Sequence, residues 1–188
     1  MELRKLTRGG IAEVYHTHLR ADFPADERKP LPHILRAWDR GGYNVFGLYE
    51  RDALRAYAFV GLPEKPDCVF LDYFAVLRGL RGRGTGARAL YGLRERFRDR
   101  TAIVLEAERP DAAPDAAARA LRERRIRFYL RCGARRSGAR SRVHGVPYQI
   151  LTLPCAGLCD DETARRTLRV FYRDVSPEAY AAGDVCIG

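Results

Sequence analysis

The chain has 188 residues, of which 46% are hydrophobic and 31% charged, and carries a formal net charge of +10. That length suits one core and leaves little room for two full domains. No apolar run approaches the roughly 18 residues of a transmembrane helix, and five scattered cysteines, an odd number, argue against a disulfide framework.

Residues 2–6 read as a short edge strand. Helical spacing of Ile11, Val14, Tyr15 and Leu19 predicts a helix over 11–20, and the charged, proline-bounded stretch 23–30 predicts a loop. A second helix is expected over 31–40, ended by Gly41 and Gly42. Segments 43–50 and 53–62 form a hairpin around a tight turn at 51–52, and the loop 63–67 follows. Residues 68–76 are apolar almost throughout, which marks a central strand covered on both faces. After the glycine-rich stretch 79–86, Leu90, Leu93 and Phe97 share one helix face. A buried strand at 101–108, a loop at 109–115, a helix at 116–131 stopped by Gly133, and strands at 138–144 and 147–153 complete the pattern. A helix is expected over 160–175, with Ala164, Leu168 and Tyr172 as its stripe. The economical organisation is a domain over 1–154 and an extension over 155–188, expected to be helical and to pack on the same domain.

The stretch GLRGRGTG at 79–86 stands between strand and helix. A helix N-terminus offers free N–H groups and a partial positive charge, and glycines let such groups approach an anion closely. Gly82, Gly84 and Gly86 suit a diphosphate, with Arg81 and Arg83 adding charge. The other reading is a surface turn with incidental arginines. The spacing lacks the lysine of a P-loop, and its mid-chain place does not suit a Rossmann fingerprint.

The stretch Arg81-Gly82-Arg83-Gly84-Thr85-Gly86, preceded by FAV at 74–76, resembles the signature of the GCN5-related N-acetyltransferases. Tyr129 and Gly133, in Tyr-x-x-x-Gly spacing, match a second family feature. The likeness covers roughly residues 2–153. Arg78, Ala134 and Arg122 stand where many members carry proline, phenylalanine and asparagine.

The resemblance implies an α/β fold with a mixed, splayed β-sheet flanked by helices, and an N-acetyltransferase using acetyl-CoA as co-substrate. Phe74, Ala75 and Val76 would pair with the pantetheine arm, and Arg81, Gly82, Arg83, Gly84, Thr85 and Gly86 would hold the diphosphate. An N–H of Phe74 or Ala75 could meet the charge developing on the thioester oxygen. Tyr129 matches the general acid; on its own pattern, beside Phe128, it reads first as a packing tyrosine with its hydroxyl satisfied. A cationic amine must lose a proton before attack. Glu106 interrupts an apolar strand and is the base candidate, in competition with a water chain, and Glu108 shares its face by alternation. Either acid could instead pair with a helix arginine. Asp72 interrupts the preceding strand in the same manner. In the family, the region of the 22–30 loop borders the acceptor, so Asp22, Phe23, Asp26, Glu27 and Asp72 form the expected acceptor-binding set; a self-paired loop is the alternative. His16 and His18 do not share a helix face, and no metal is expected.

The acceptor is expected to be a primary amine of a small molecule or a protein, whose identity the chain leaves open. The alternatives are a CoA-binding protein without chemistry and a nucleic-acid binder, the latter opposed by dispersed arginines and the absence of a basic block. The opening residues show no signal-peptide pattern, so a cytoplasmic protein with no membrane partner is expected. The segment past residue 154 could cover this domain's sheet or that of a second copy, which leaves a homodimer open.

Overall fold

The computed structural model describes all 188 residues except the side chain of Asp26, so the expectation placed on that carboxylate lies outside the described residues. The strands are β1 (Glu2–Lys5), β2 (Tyr43–Glu50), β3 (Ala53–Gly61), β4 (Cys68–Val76), β5 (Ala102–Glu108), β6 (Arg135–Val143), β7 (Val146–Pro154) and β8 (Val185–Ile187). Their order in one sheet is β1-β2-β3-β4-β5-β7-β6-β8. The pairs β1–β2, β2–β3, β5–β7, β7–β6 and β6–β8 are antiparallel. The helices are α1 (Arg8–Val14), α2 (Arg20–Asp22), α3 (Leu31–Asp39), α4 (Thr85–Arg96), α5 (Ala116–Arg131), α6 (Asp161–Val175) and α7 (Pro177–Ala181). The result is the expected α/β fold, a mostly antiparallel sheet flanked by helices.

Two compact units divide the chain. The first comprises Met1–Leu62 and Leu71–Leu93, the second Pro63–Phe70 and Arg94–Gly188. In the first unit, α1 begins three residues earlier than its apolar spacing suggests. Thr7 caps it, its hydroxyl accepting from Gly10 N–H at 3.3 Å, ahead of a glycine pair that hides the start. The helix continues through a π turn (Tyr15–Leu19) into α2. The β2–β3 turn places Arg51 and Asp52 at φ 48° and 64°, the left-handed pair that a two-residue hairpin requires.

In the second unit, α6 buries Ala164, Thr167, Leu168, Phe171, Tyr172 and Val175. Phe171 packs against Phe70 of β4, the rings tilted by 48° with centroids 4.4 Å apart, and each such large apolar side chain contributes about 1.5–3 kcal/mol. Asp160 caps α6 through Thr163 N–H at 2.7 Å. Asp161 accepts from Ser137 Oγ at 2.6 Å and Gly138 N at 2.8 Å, where the β6–β7 register slips between Arg136 and Arg140. A Cβ on Gly138 would stand 2.3 Å from Asp161 Oδ2, so a larger residue here would displace that carboxylate from its two donors. β6 therefore starts three residues before the expected strand, because the slip carries pairing past Gly138. The short elements α7 and β8 had no distinct pattern in the sequence; β8 gains its order from pairing with β6. No helix of the described residues is long and apolar enough to cross a membrane.

Candidate active site

The glycine stretch follows β4 directly. Leu77 N donates to Arg55 O at 3.0 Å, a 3₁₀ turn spans Arg78–Leu80, and Gly82 and Gly84 take φ of +78° and +79°. A Cβ at either glycine would meet nothing within 4 Å, so glycine is required there by backbone conformation and not by space. Arg88 N donates to Gly84 O at 3.1 Å, which opens α4. Thr85, Gly86 and Ala87 therefore point N–H groups out of the first turn with no helix carbonyl to receive them.

Arg81 does not hang free beside this turn. Its Nε donates to Val76 O at 3.1 Å and its Nη2 to Asp22 Oδ1 at 3.1 Å. Asp22 also accepts from Tyr57 Oη at 2.9 Å, lies 3.8 Å from Arg78 Nε, and has a side chain only 6% exposed. Burial and the Asp22 charge push the Tyr57 phenol far up. Arg83 is exposed. Phe74 and Val76 turn their side chains into an apolar cluster with Leu48, Ala56 and Ala89, and Ala75 is buried.

The 23–30 loop is tied down on β4. Asp72 Oδ1 accepts from Lys29 Nζ at 2.7 Å and Oδ2 from Tyr43 Oη at 2.5 Å, with side-chain exposures of 4% for Asp72 and 14% for Lys29. Tyr73 Oη accepts from Lys29 N at 2.8 Å and donates to Glu27 O at 2.9 Å, while Phe23 packs edge-on against the Tyr73 ring. Burial, then the Asp72 charge, holds the Tyr73 phenol well above its usual range. Asp22 and Asp72 are thus bound to the protein's own cations, Phe23 to Tyr73, and Glu27 is exposed.

In the second unit, strand alternation puts Glu106 and Glu108 on one face of β5, as expected. Their surroundings differ. Glu108 accepts from Arg122 Nη2 at 2.5 Å and Arg125 Nη1 at 2.9 Å, both on α5. Glu106 accepts through Oε1 from Ser141 Oγ of β6 and through Oε2 from Tyr172 Oη of α6 at 2.5 Å. Ser141 and Tyr172 were not among the sequence candidates. Tyr172 was visible only as an apolar-stripe residue, and a serine in a strand carries no signal of its own.

The Tyr-x-x-x-Gly spacing has a physical origin here. Gly133, at φ +93°, donates to Leu130 O at 3.0 Å, and Ala134 N donates to Tyr129 O at 3.0 Å. This double bond pattern is a Schellman cap, in which the tyrosine occupies the third residue from the helix end and glycine the left-handed position beyond it. Tyr129 is 7% exposed. Burial pushes its phenol up to about 12 against the opposing charge of Arg125. Among the described residues, no group of three or more His, Cys, Asp or Glu side chains could hold a metal ion.

A glycine-anchored helix start after β4, a capped tyrosine on α5 and this strand order coincide with one family model, described as the acetyltransferase (GNAT) family, which matches residues 11–134. The chain belongs to that family. Solved structures with the same fold include a GNAT-family acetyltransferase from Bacteroides thetaiotaomicron, with a TM-score of 0.71 and 23% identity over 93% of this chain and 97% of the other. The ribosomal-protein-S18-alanine N-acetyltransferase of Escherichia coli has a TM-score of 0.59 and 20% identity over 84% and 95%. A Bacillus subtilis acetyltransferase solved with CoA has a TM-score of 0.53 and 13% identity over 81% and 96%. At these identities the likeness is one of GNAT fold. No curated protein matches the sequence. Ser141 and Tyr172 lie beyond the span that the GNAT model matches.

Proposed function

We propose that this chain transfers an acetyl group from acetyl-CoA to a primary amine, with the Arg81–Gly86 turn as the diphosphate seat and Glu106 as the proton acceptor. The observation that carries this reading is the turn itself. Two glycines in the left-handed region, N–H groups of Thr85, Gly86 and Ala87 at the start of α4, and the guanidinium of Arg81 fixed beside them suit a dianionic group. The co-substrate supplies an acyl carbon activated as a thioester. An N–H of Phe74 or Ala75 meets the charge that develops on its oxygen.

Glu106 removes the ammonium proton, directly or through a water, so that nitrogen can bond to the acyl carbon as the carbon–sulfur bond breaks. Hydroxyl donors hold the Glu106 carboxylate ready without a compensating formal charge of their own. Glu108 is engaged by two guanidiniums and serves to fasten α5 to β5. The expected acceptor contacts of Asp22, Phe23, Glu27 and Asp72 are kept as the wall of the acceptor side, with Asp22 and Asp72 acting through the cations they hold.

Tyr129 stabilises the departing sulfur. A phenol near 12 keeps its proton at every physiological pH. Full transfer to a thiolate titrating near 8.5 is uphill by about 5 kcal/mol. Tyr129 therefore acts as a hydrogen-bond donor, and solvent completes protonation. Tyr129→Phe is expected to lower kcat roughly 10- to 100-fold, the worth of one hydrogen bond to a charged group. Acetyl-CoA affinity and the alkaline limb of the rate profile below pH 10 should be unchanged. Disappearance of an alkaline limb near pH 8–9 would instead show that Tyr129 ionises in turnover. The reading as a whole is tested by thiol release from acetyl-CoA with an alanyl peptide, a lysyl peptide and spermidine. Acetylated product with at least one of them supports it; acetyl-CoA binding with no amine-dependent release by any of them favours a CoA-binding protein without chemistry.

A further inference from the structure

We propose that Tyr172 is a positioning residue for the proton acceptor, so that α6, which lies outside the family-matched span, is built into the reaction. The inference rests on the reading of Glu106 as the base. Both carboxylate oxygens of Glu106 accept from hydroxyls that are themselves buried: Ser141 is 5% exposed and Tyr172 4%. A carboxylate with one such donor can still swing about its last side-chain torsion, which is broad and roughly two-fold. Donors on both oxygens fix that plane.

The clamp comes from three separated parts of the sequence. Ser141 lies 35 residues from Glu106 and Tyr172 lies 66 residues from it. Asp160 caps α6, Asp161 locks its first turn to Ser137 and Gly138 of β6, and Phe171 seats on Phe70. These contacts fix the helix in the position that brings Tyr172 Oη to Glu106. Glu106 itself is opposite Ile150 of β7, while Tyr148 of β7 is opposite both Glu108 and Ser141. The ionisable groups near it include Tyr172 of α6, Tyr148 of β7, and Glu108 with its partners Arg122 and Arg125 of α5.

Hydroxyl donors favour the charged form of a carboxylate over the protonated one. Removing the Tyr172 hydroxyl is expected to raise the Glu106 midpoint. The acid limb of kcat/KM then moves to higher pH by about one unit or more, with roughly tenfold less activity below it. Three forms of the full-length protein decide the matter, each with glutamate labelled at its carboxyl carbon: wild type, Tyr172→Phe and Ser141→Ala. Glu106→Gln assigns the carboxyl resonance. NMR titration should show the Glu106 midpoint raised in both hydroxyl variants, and rates of thiol release with the most active amine of the panel above should show the same shift in the acid limb, with KM for acetyl-CoA unchanged. A Glu106 midpoint that does not move in Tyr172→Phe overturns the clamp. A midpoint that moves while the rate profile stays fixed overturns its role in positioning. Glu106→Gln with full turnover removes the base assignment itself, whatever the clamp does.

Discussion

Asp72 of β4 and Glu106 of β5 each place a carboxylate inside an apolar strand, yet the first gives its oxygens to Lys29 and Tyr43 and the second to Ser141 and Tyr172. The ammonium in contact ties the Asp72 carboxylate to the loop that supplies it. Such a group holds structure together. Hydroxyls orient a carboxylate while adding no formal charge of their own, and the role proposed for Glu106 builds on that arrangement. Glu108, two residues from Glu106, follows the Asp72 pattern with guanidiniums.

Substitutions should separate these two patterns. The largest effect is expected from Glu106→Gln, which keeps the shape and an oxygen acceptor but cannot take a proton. Its kcat should fall about 10²–10⁴-fold, with acetyl-CoA affinity retained, as steady-state rates and calorimetry would show. Next comes Asp72→Ala, which takes the shared carboxylate from Lys29 and Tyr43. Urea unfolding should report a loss of about 3–5 kcal/mol. If Asp72→Ala were instead neutral in stability and dead in catalysis, the contrast between the two acids would collapse. The smallest effect belongs to Glu108→Gln. Loss of one charge facing Arg122 and the half-exposed Arg125 should cost about 1–2 kcal/mol of stability, with turnover within about twofold of wild type.

The comparison also marks where sequence reading reaches its limit. β4 and α5 were legible to the residue. The first is a nearly unbroken apolar run between a proline-rich loop and glycines, and the second ends at the glycine its cap requires. The turn at 81–86 was legible because left-handed backbone selects glycine. The pairings that separate Asp72 from Glu106 were not. Lys29 stands 43 residues from Asp72, and Tyr172 stands 66 from Glu106. Nothing local distinguishes an acid that will meet an ammonium from one that will meet hydroxyls; only the folded positions of the 23–30 loop and of α6 decide it. The start of β6 was missed for a related reason. Its register slip exists to admit Asp161, a residue from a different element.

The central claim is that backbone amides and arginine at the Arg81–Gly86 turn hold the diphosphate of the acyl donor. Calorimetry with acetyl-CoA and with acetyl-pantetheine, which lacks the diphosphate, tests it directly. Two charge-assisted hydrogen bonds at the low end of their usual worth predict binding of acetyl-CoA about a hundredfold tighter than of the truncated thioester. Equal affinities for the two would contradict the account.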